Sequence, residues 1–197
     1  MQSFNDDGQL LDDFASTIDV LCPECGQPAT MIRTGAGSPL PGFSCFACGF
    51  TVSSKTTAWF RPWQARFKGR CEACGENYQR EAARNRGTIP QTQVFRCECC
   101  GATGTAKLSS WQGERGICEP CYGIELRWQM PVGSEILWAY NREHLEFLEA
   151  YIGADLRQRE PNRNASLASR LPKWIKNAKN REDLRKTIRQ LLAKANS

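Results

Sequence analysis

The chain has 197 residues, a formal net charge of +5 and eleven cysteines. No run of 18 apolar residues occurs, so the sequence predicts no membrane-spanning helix and no membrane partner. Residues 1–21 hold five aspartates and no lysine or arginine, unlike the basic start of a secretory signal, so we expect a reducing, cytoplasmic location.

Positive charge is concentrated at the C-terminal end. Residues 157–197 contain twelve lysines and arginines and three acids, a balance of +9, so residues 1–156 sum to −4. A basic segment attracts anionic partners, which makes this region a candidate for nucleic-acid binding.

Residues 1–20 form an acidic N-terminal segment. Its apolar residues have spacings that suit one short amphipathic helix, at Leu10, Leu11, Phe14 and Ile18. We favour a simpler interpretation, in which the segment is a surface tail or a cap on the first cysteine module.

Ten of the eleven cysteines lie in five Cys-x-x-Cys turns, which we call knuckles. The pairs are Cys22 and Cys25, Cys45 and Cys48, Cys71 and Cys74, Cys97 and Cys100, and Cys118 and Cys121. In four of the five a glycine directly follows the second cysteine, where it tolerates the positive φ that such a turn needs. The repeat predicts metal binding, because Cys-x-x-Cys pairs in a reducing compartment are usually ligands rather than disulfides.

The first two knuckles predict one zinc module over residues 21–54. Their spacing is C-x2-C-x19-C-x2-C, with a predicted strand at 29–33, a turn-rich run at 34–42 and a return at 43–44. This pattern predicts tetrahedral Zn2+ at Cys22, Cys25, Cys45 and Cys48. Residues 22–49 resemble the zinc ribbons of transcription and replication proteins, including the basal transcription factor B type. In those proteins the ribbon docks on nucleic acid, a polymerase or another subunit.

Residues 55–70 are predicted to be a basic aromatic linker. No acid occurs between Cys25 and Cys71, and the linker cations Arg61, Arg66, Lys68 and Arg70 are candidate phosphate contacts. The rings interleaved with them could stack on bases or form a small core on one helical face, and we favour the core. They are Trp59, Phe60, Trp63 and Phe67.

Residues 71–136 hold a second predicted zinc ribbon and an extra knuckle. Cys71 and Cys74 can pair with Cys97 and Cys100, but the spacing also allows either of these knuckles to pair with the fifth. We favour the consecutive pairing, with Cys99 pointing away from the metal. The fifth knuckle could then join Cys99, His144 or a second subunit. His144, the single histidine, is expected to be a surface or packing residue.

Residues 137–197 are predicted to form a basic helical domain of three short helices. Apolar residues recur at steps of three and four from Leu145, from Leu167 and from Leu184. Its candidate nucleic-acid contacts are Lys173, Lys176, Arg181, Arg185 and Arg189. Residues 137–148 and 166–174 are similar to segments of small uncharacterised bacterial zinc-ribbon proteins with a helical tail. That similarity implies a bacterial or phage origin and no mechanism.

The fold class expected is a small metal-stapled α+β protein, with tandem zinc ribbons followed by a C-terminal three-helix segment. One histidine excludes a histidine-based triad or a three-histidine zinc site, and four-thiolate zinc has no open position, so no enzyme is expected. We expect a protein that binds two or three Zn2+ and nucleic acid. The alternatives are an adaptor subunit of a larger bacterial or phage assembly and a redox or iron–sulfur protein.

Overall fold

The computed structural model describes residues 3–33, 41–52, 55, 57–114, 116–159 and 166–194. More of these residues are in strands than in helices, and the α-helices lie in the C-terminal part of the chain. The chain groups into two compact units, one formed by Met1–Thr51 with Glu125–Ser197 and the other by Val52–Ile124. The first unit therefore combines both ends of the chain, unlike the five consecutive segments predicted from the sequence.

Within the described residues the strands are, in chain order, β1 (Ser3–Asp6), β2 (Thr17–Leu21), β3 (Pro28–Ile32), β4 (Phe43–Ser44), β5 (Thr51–Val52), β6 (Ala58–Trp59), β7 (Trp63–Arg70), β8 (Asn77–Arg84), β9 (Gly87–Thr88), β10 (Thr92–Arg96), β11 (Thr103–Gly113), β12 (Trp128–Val132), β13 (Glu135–Ala139) and β14 (Leu156–Arg159). The α-helices are α1 (Arg142–Gly153), α2 (Leu167–Arg170), α3 (Lys173–Lys176) and α4 (Arg181–Lys194). Short 3-10 helices lie at Leu11–Phe14 and Ala178–Asn180. None of the helices in the described ranges has the length and apolar character needed to cross a membrane.

The acidic N-terminal segment belongs to the core of the first unit and is neither a tail nor an α-helix. β1 pairs in parallel with β14, and Phe4 packs edge-on against Phe147 with ring centroids 5.4 Å apart. The hydroxyl of Ser166 donates a hydrogen bond of 2.7 Å to buried Asp6. The segment thus packs on the helical region, and sequence spacing could not indicate this because β1 and β14 are about 150 residues apart in the chain.

The helical region largely follows the predicted apolar periodicity. Leu145, Leu148 and Ile152 of α1 are buried together with Leu184, Ile188 and Leu191 of α4. The predicted middle helix is instead two single turns, α2 and α3, separated at Leu171 and Pro172. Leu171 is extended because a proline disfavours helical backbone in the residue before it, and Pro172 is the N-cap of α3. The described part of the tail therefore contains four α-helices rather than three.

The second unit is built on a four-stranded antiparallel sheet with strand order β10-β11-β7-β8. The stretch 55–70, expected to be a linker, supplies β6 and one of the two central strands, β7. Trp63, Ala65 and Phe67 alternate inward along β7, so the rings form a core on a strand rather than on a helix. The arginine-rich stretch after Cys74 contains the edge strand β8.

Candidate metal centres and basic sheet face

The first four knuckles have one backbone design, and each joins two neighbouring strands. In the first, the Cys22 N–H donates to the Gln27 carbonyl at 2.9 Å and the Gly26 N–H donates to the Cys22 carbonyl at 2.8 Å. The same two bonds recur in the other three at 2.8–2.9 Å. The glycine φ values lie between +70° and +77°, a conformation that side chains with a Cβ rarely adopt. This turn brings the two cysteine side chains of each knuckle together.

The knuckles meet in pairs to form two clusters of four cysteines. The first cluster is Cys22, Cys25, Cys45 and Cys48, and the second cluster is Cys71, Cys74, Cys97 and Cys100. In each cluster the four Sγ atoms lie within 4.8 Å of one another. The consecutive pairing predicted from the sequence is therefore confirmed.

The sulfur spacings fit a single tetrahedral metal ion. In the first cluster the Sγ atoms of Cys22 and Cys48 are 3.7 Å apart, and those of Cys25 and Cys45 are also 3.7 Å apart. The corresponding spacings in the second cluster are 3.5 and 3.6 Å. A Zn–S bond of about 2.3 Å requires a tetrahedron edge of about 3.8 Å. Both clusters are thus positioned to hold a metal ion.

Backbone N–H groups lower the pKa of one cysteine thiol in each cluster and so favour its thiolate form. The N–H groups of Cys48 and Ala47 lower the pKa of the Cys45 thiol to about 7. In the second cluster, the N–H groups of Cys74 and Ala73 lower the pKa of Cys71 to about 7 in the same way. The turn that positions each of these sulfurs also stabilises its negative charge.

The remaining candidate ligands lie outside both clusters. Cys99 is exposed and belongs to neither cluster, as expected. Cys118 and Cys121 are half-buried and join no group of three or more potential ligands among the described residues. His144 is buried, stacks on Phe14 with ring centroids 5.0 Å apart, and has its pKa lowered to about 4 by burial. The single histidine is a packing residue, which was one of the two expected roles.

The outer face of the four-stranded sheet carries a concentration of positive charge. Arg66, Lys68 and Arg70 alternate with the buried residues of β7 and are exposed. Lys107 of β11 lies directly opposite Lys68, and Arg96 of β10 is on the same face two strands away. We call these five cations, Arg66, Lys68, Arg70, Arg96 and Lys107, the basic sheet face. The acid that shares this face within the four strands is Glu81, whose carboxylate accepts a 2.6 Å hydrogen bond from Arg66.

Two arginines of the basic sheet face are held against the second cluster. Arg70 and Arg96 each precede a knuckle, and each donates its Nε–H to the glycine carbonyl of that knuckle. The bonds are 2.8 Å from Arg70 to Gly75 and 3.2 Å from Arg96 to Gly101. The two knuckles of the second cluster therefore fix the positions of these guanidinium groups.

Sequence reasoning missed Arg96 and Lys107, although the alternation of exposed and buried residues in their strands could have indicated both.

Among the predicted contacts, Arg61 lies 3.6 Å from Glu114, and Arg181 lies 3.6 Å from Asp155. The Lys176 ammonium donates a hydrogen bond to the Ser169 carbonyl. Three predicted cations of the first unit remain. Lys173 and Arg189 are exposed, and Arg185 is half-buried.

Comparisons with protein-family models, curated proteins and solved structures find no match to this chain.

Proposed function

We propose that the chain is a non-enzymatic zinc protein with two zinc-ribbon-like sites, and that it binds nucleic acid through the basic sheet face. The observation that carries the proposal is the direct opposition of Lys68 and Lys107 on the two central strands. Like charges in such positions destabilise a sheet. A polyanion laid across the strands would offset this cost, and a nucleic-acid backbone supplies phosphates at regular intervals.

Zinc is the metal that best suits both clusters. In each cluster the four sulfurs lie within 4.8 Å of one another and two sulfur pairs are 3.5–3.7 Å apart, which suits one tetrahedral ion. Four-cysteine sites of this kind are typical of structural zinc. Four protein ligands fill the coordination shell, so no position is open for a substrate or an activated water. The role proposed for the metal is to fold the chain and to hold Arg70 and Arg96 in place.

Phosphate contacts rather than base stacking should dominate the interaction. Single-strand binders commonly stack bases on exposed rings, whereas Trp59, Trp63 and Phe67 are in the core of the second unit. Cations without stacking rings suit the regular phosphate backbone of a duplex. Duplex DNA is therefore the appropriate first probe.

Binding to a short DNA duplex is expected to weaken steeply as salt rises. With four or five phosphate contacts, the plot of log affinity against log salt should have a slope of about −4 between about 50 and 200 mM. Fluorescence anisotropy with a labelled duplex measures this slope, and a single strand of the same length is the comparison. A flat, weak response to salt would contradict nucleic-acid binding.

The alternative is an adaptor subunit that docks on a protein, and one residue of the first unit favours it. Phe46, in the second knuckle, is fully exposed, and burying a phenylalanine on a partner is worth about 1.5–3 kcal/mol. Partners that survive nuclease digestion but are lost in a Phe46→Ser chain would favour this role. Partners that disappear with nuclease would favour the nucleic-acid role.

A further inference from the structure

A fifth knuckle backbone is present in the second unit, one residue later than the cysteine pattern predicts. The Glu119 N–H donates to the Ile124 carbonyl at 2.9 Å, and the Gly123 N–H donates to the Glu119 carbonyl at 3.2 Å. Gly123 has a φ of +69°, close to the +70° of Gly26. These are the two hydrogen bonds and the glycine conformation of the four metal-site knuckles. The turn therefore begins at Glu119 and not at Cys118.

This register changes the position of every residue in the turn. Glu119 takes the place of the first cysteine, and Tyr122 takes the place of the second. Pro120 then matches Pro23 of the first knuckle, and Cys121 occupies the third position, which exposed Cys99 occupies in the fourth knuckle. Cys118 precedes the turn altogether. Neither thiol of this pair stands at a ligand position.

The Glu119 carboxylate accepts the hydrogen bonds that a thiolate accepts in the other knuckles. It is fully buried and accepts from the N–H groups of Cys121 at 2.6 Å, Tyr122 at 2.6 Å and Ile124 at 3.0 Å. In the second knuckle, the Cys45 sulfur accepts hydrogen bonds from the N–H groups of Ala47 and Cys48, which are the third and fourth residues of that turn. Burial raises the pKa of the Glu119 carboxyl, and the N–H groups act in the opposite direction.

We infer that residues 119–124 form a metal-free knuckle, in which the Glu119 carboxylate replaces the metal-bound thiolate and Cys118 and Cys121 bind no metal. A tetrahedral thiolate site needs two knuckles, so a chain with five must leave one without a partner. A carboxylate within the turn stabilises a single knuckle, because it satisfies the backbone N–H donors of the turn without a metal ion. The chain then carries two metals rather than three.

The metal-free knuckle also closes the core of the second unit. The Phe60 N–H donates to the Tyr122 carbonyl at 2.7 Å, beside the buried ring of Trp59. A Cβ added at Gly123 would lie 2.7 Å from Cε2 of that ring, so the turn and the indole are in close contact. Loss of the carboxylate should therefore loosen the packing around Trp59 as well as the turn.

Replacing both thiols of the fifth pair tests whether they hold metal. A Cys118→Ser/Cys121→Ser chain is expected to keep two metals per chain and the melting temperature of the unaltered protein. Elemental analysis and circular dichroism melting measure these two quantities. Loss of a metal in this double variant would overturn the inference.

Replacing Glu119 by glutamine tests the carboxylate. The amide presents an NH2 group to backbone donors, so we expect the melting temperature to fall by about 10 °C with both metals retained. Amide exchange at Cys121, Tyr122 and Ile124 should become faster. Glu98→Gln is the matched control, because Glu98 is an exposed residue of the fourth knuckle and its replacement should have no effect.

Failure of Glu119→Gln to fold would support the inference when the double cysteine variant, which keeps the carboxylate, folds normally. An unchanged melting temperature in Glu119→Gln would overturn it. These results do not depend on whether the basic sheet face binds nucleic acid.

Discussion

Replacing Cys97 by serine is expected to unfold the second unit and to release one of two metals. Cys97 is a buried member of the second cluster, and a structural zinc site contributes about 10–16 kcal/mol of folding free energy near neutral pH. A unit formed by residues 52–124 has too small a core to replace that contribution. Circular dichroism and elemental analysis follow the two effects together.

Cys99→Ser is the matched control for this prediction. Cys99 is two residues from Cys97 in the same knuckle, but it is exposed and outside the cluster. Its replacement should leave both the melting curve and the metal content unchanged. Equal behaviour of the two serine variants would contradict the assignment of the second cluster.

Neutralising the opposed lysines is expected to weaken nucleic-acid binding without weakening the fold. Each phosphate contact contributes about 0.9 to the salt slope on duplex DNA, so Lys68→Gln/Lys107→Gln should reduce the slope by about 1.8. If the altered and unaltered chains bind equally at about 1 M salt, the altered chain is expected to bind roughly sixty-fold more weakly at about 0.1 M salt. The melting temperature should stay the same or rise, because the like-charge pair has been removed.

The opposite responses of affinity and stability separate a binding role from a structural one. Lys179→Gln/Lys186→Gln removes the same charge from two exposed positions of the helical region, neither of which is a predicted contact, and serves as the control. If the two double variants weaken binding equally, general electrostatic attraction is responsible and the basic sheet face has no special role. A fall in melting temperature for Lys68→Gln/Lys107→Gln would show that the lysines stabilise the sheet.

The two four-cysteine clusters could be predicted from the sequence because the chemistry of each knuckle is local. A Cys-x-x-Cys-Gly turn specifies its own hydrogen bonds and the φ of its glycine, and the separation of consecutive knuckles limits which can meet. The fifth knuckle was placed one residue too early because Cys118 and Cys121 share that spacing. Two features of the sequence indicated the shift. Gly123 stands one residue further from the cysteine pair than the glycines of the other knuckles, and Glu119-Pro120 matches Cys22-Pro23 of the first knuckle.

The architecture of the two units depends on contacts between distant residues and was harder to predict. Aromatic residues at 59, 60, 63 and 67 suit a helix, but the alternation of Trp63, Ala65 and Phe67 also suits a strand. Pairing with β11 and β8 decides in favour of the strand. The parallel pairing of β1 with β14 likewise leaves no periodic pattern in the sequence. The basic sheet face became recognisable only once the cross-strand register placed Lys68 opposite Lys107.

Metal content per chain distinguishes two occupied cysteine clusters from any other arrangement of the eleven cysteines. Within the described residues, the two clusters use eight of the eleven cysteines, and Cys99, Cys118 and Cys121 belong to neither. Elemental analysis of the purified chain, with native mass spectrometry as a check on stoichiometry, is therefore expected to find two zinc ions per chain. A third zinc, or iron in place of zinc, would contradict the assignment of two zinc sites.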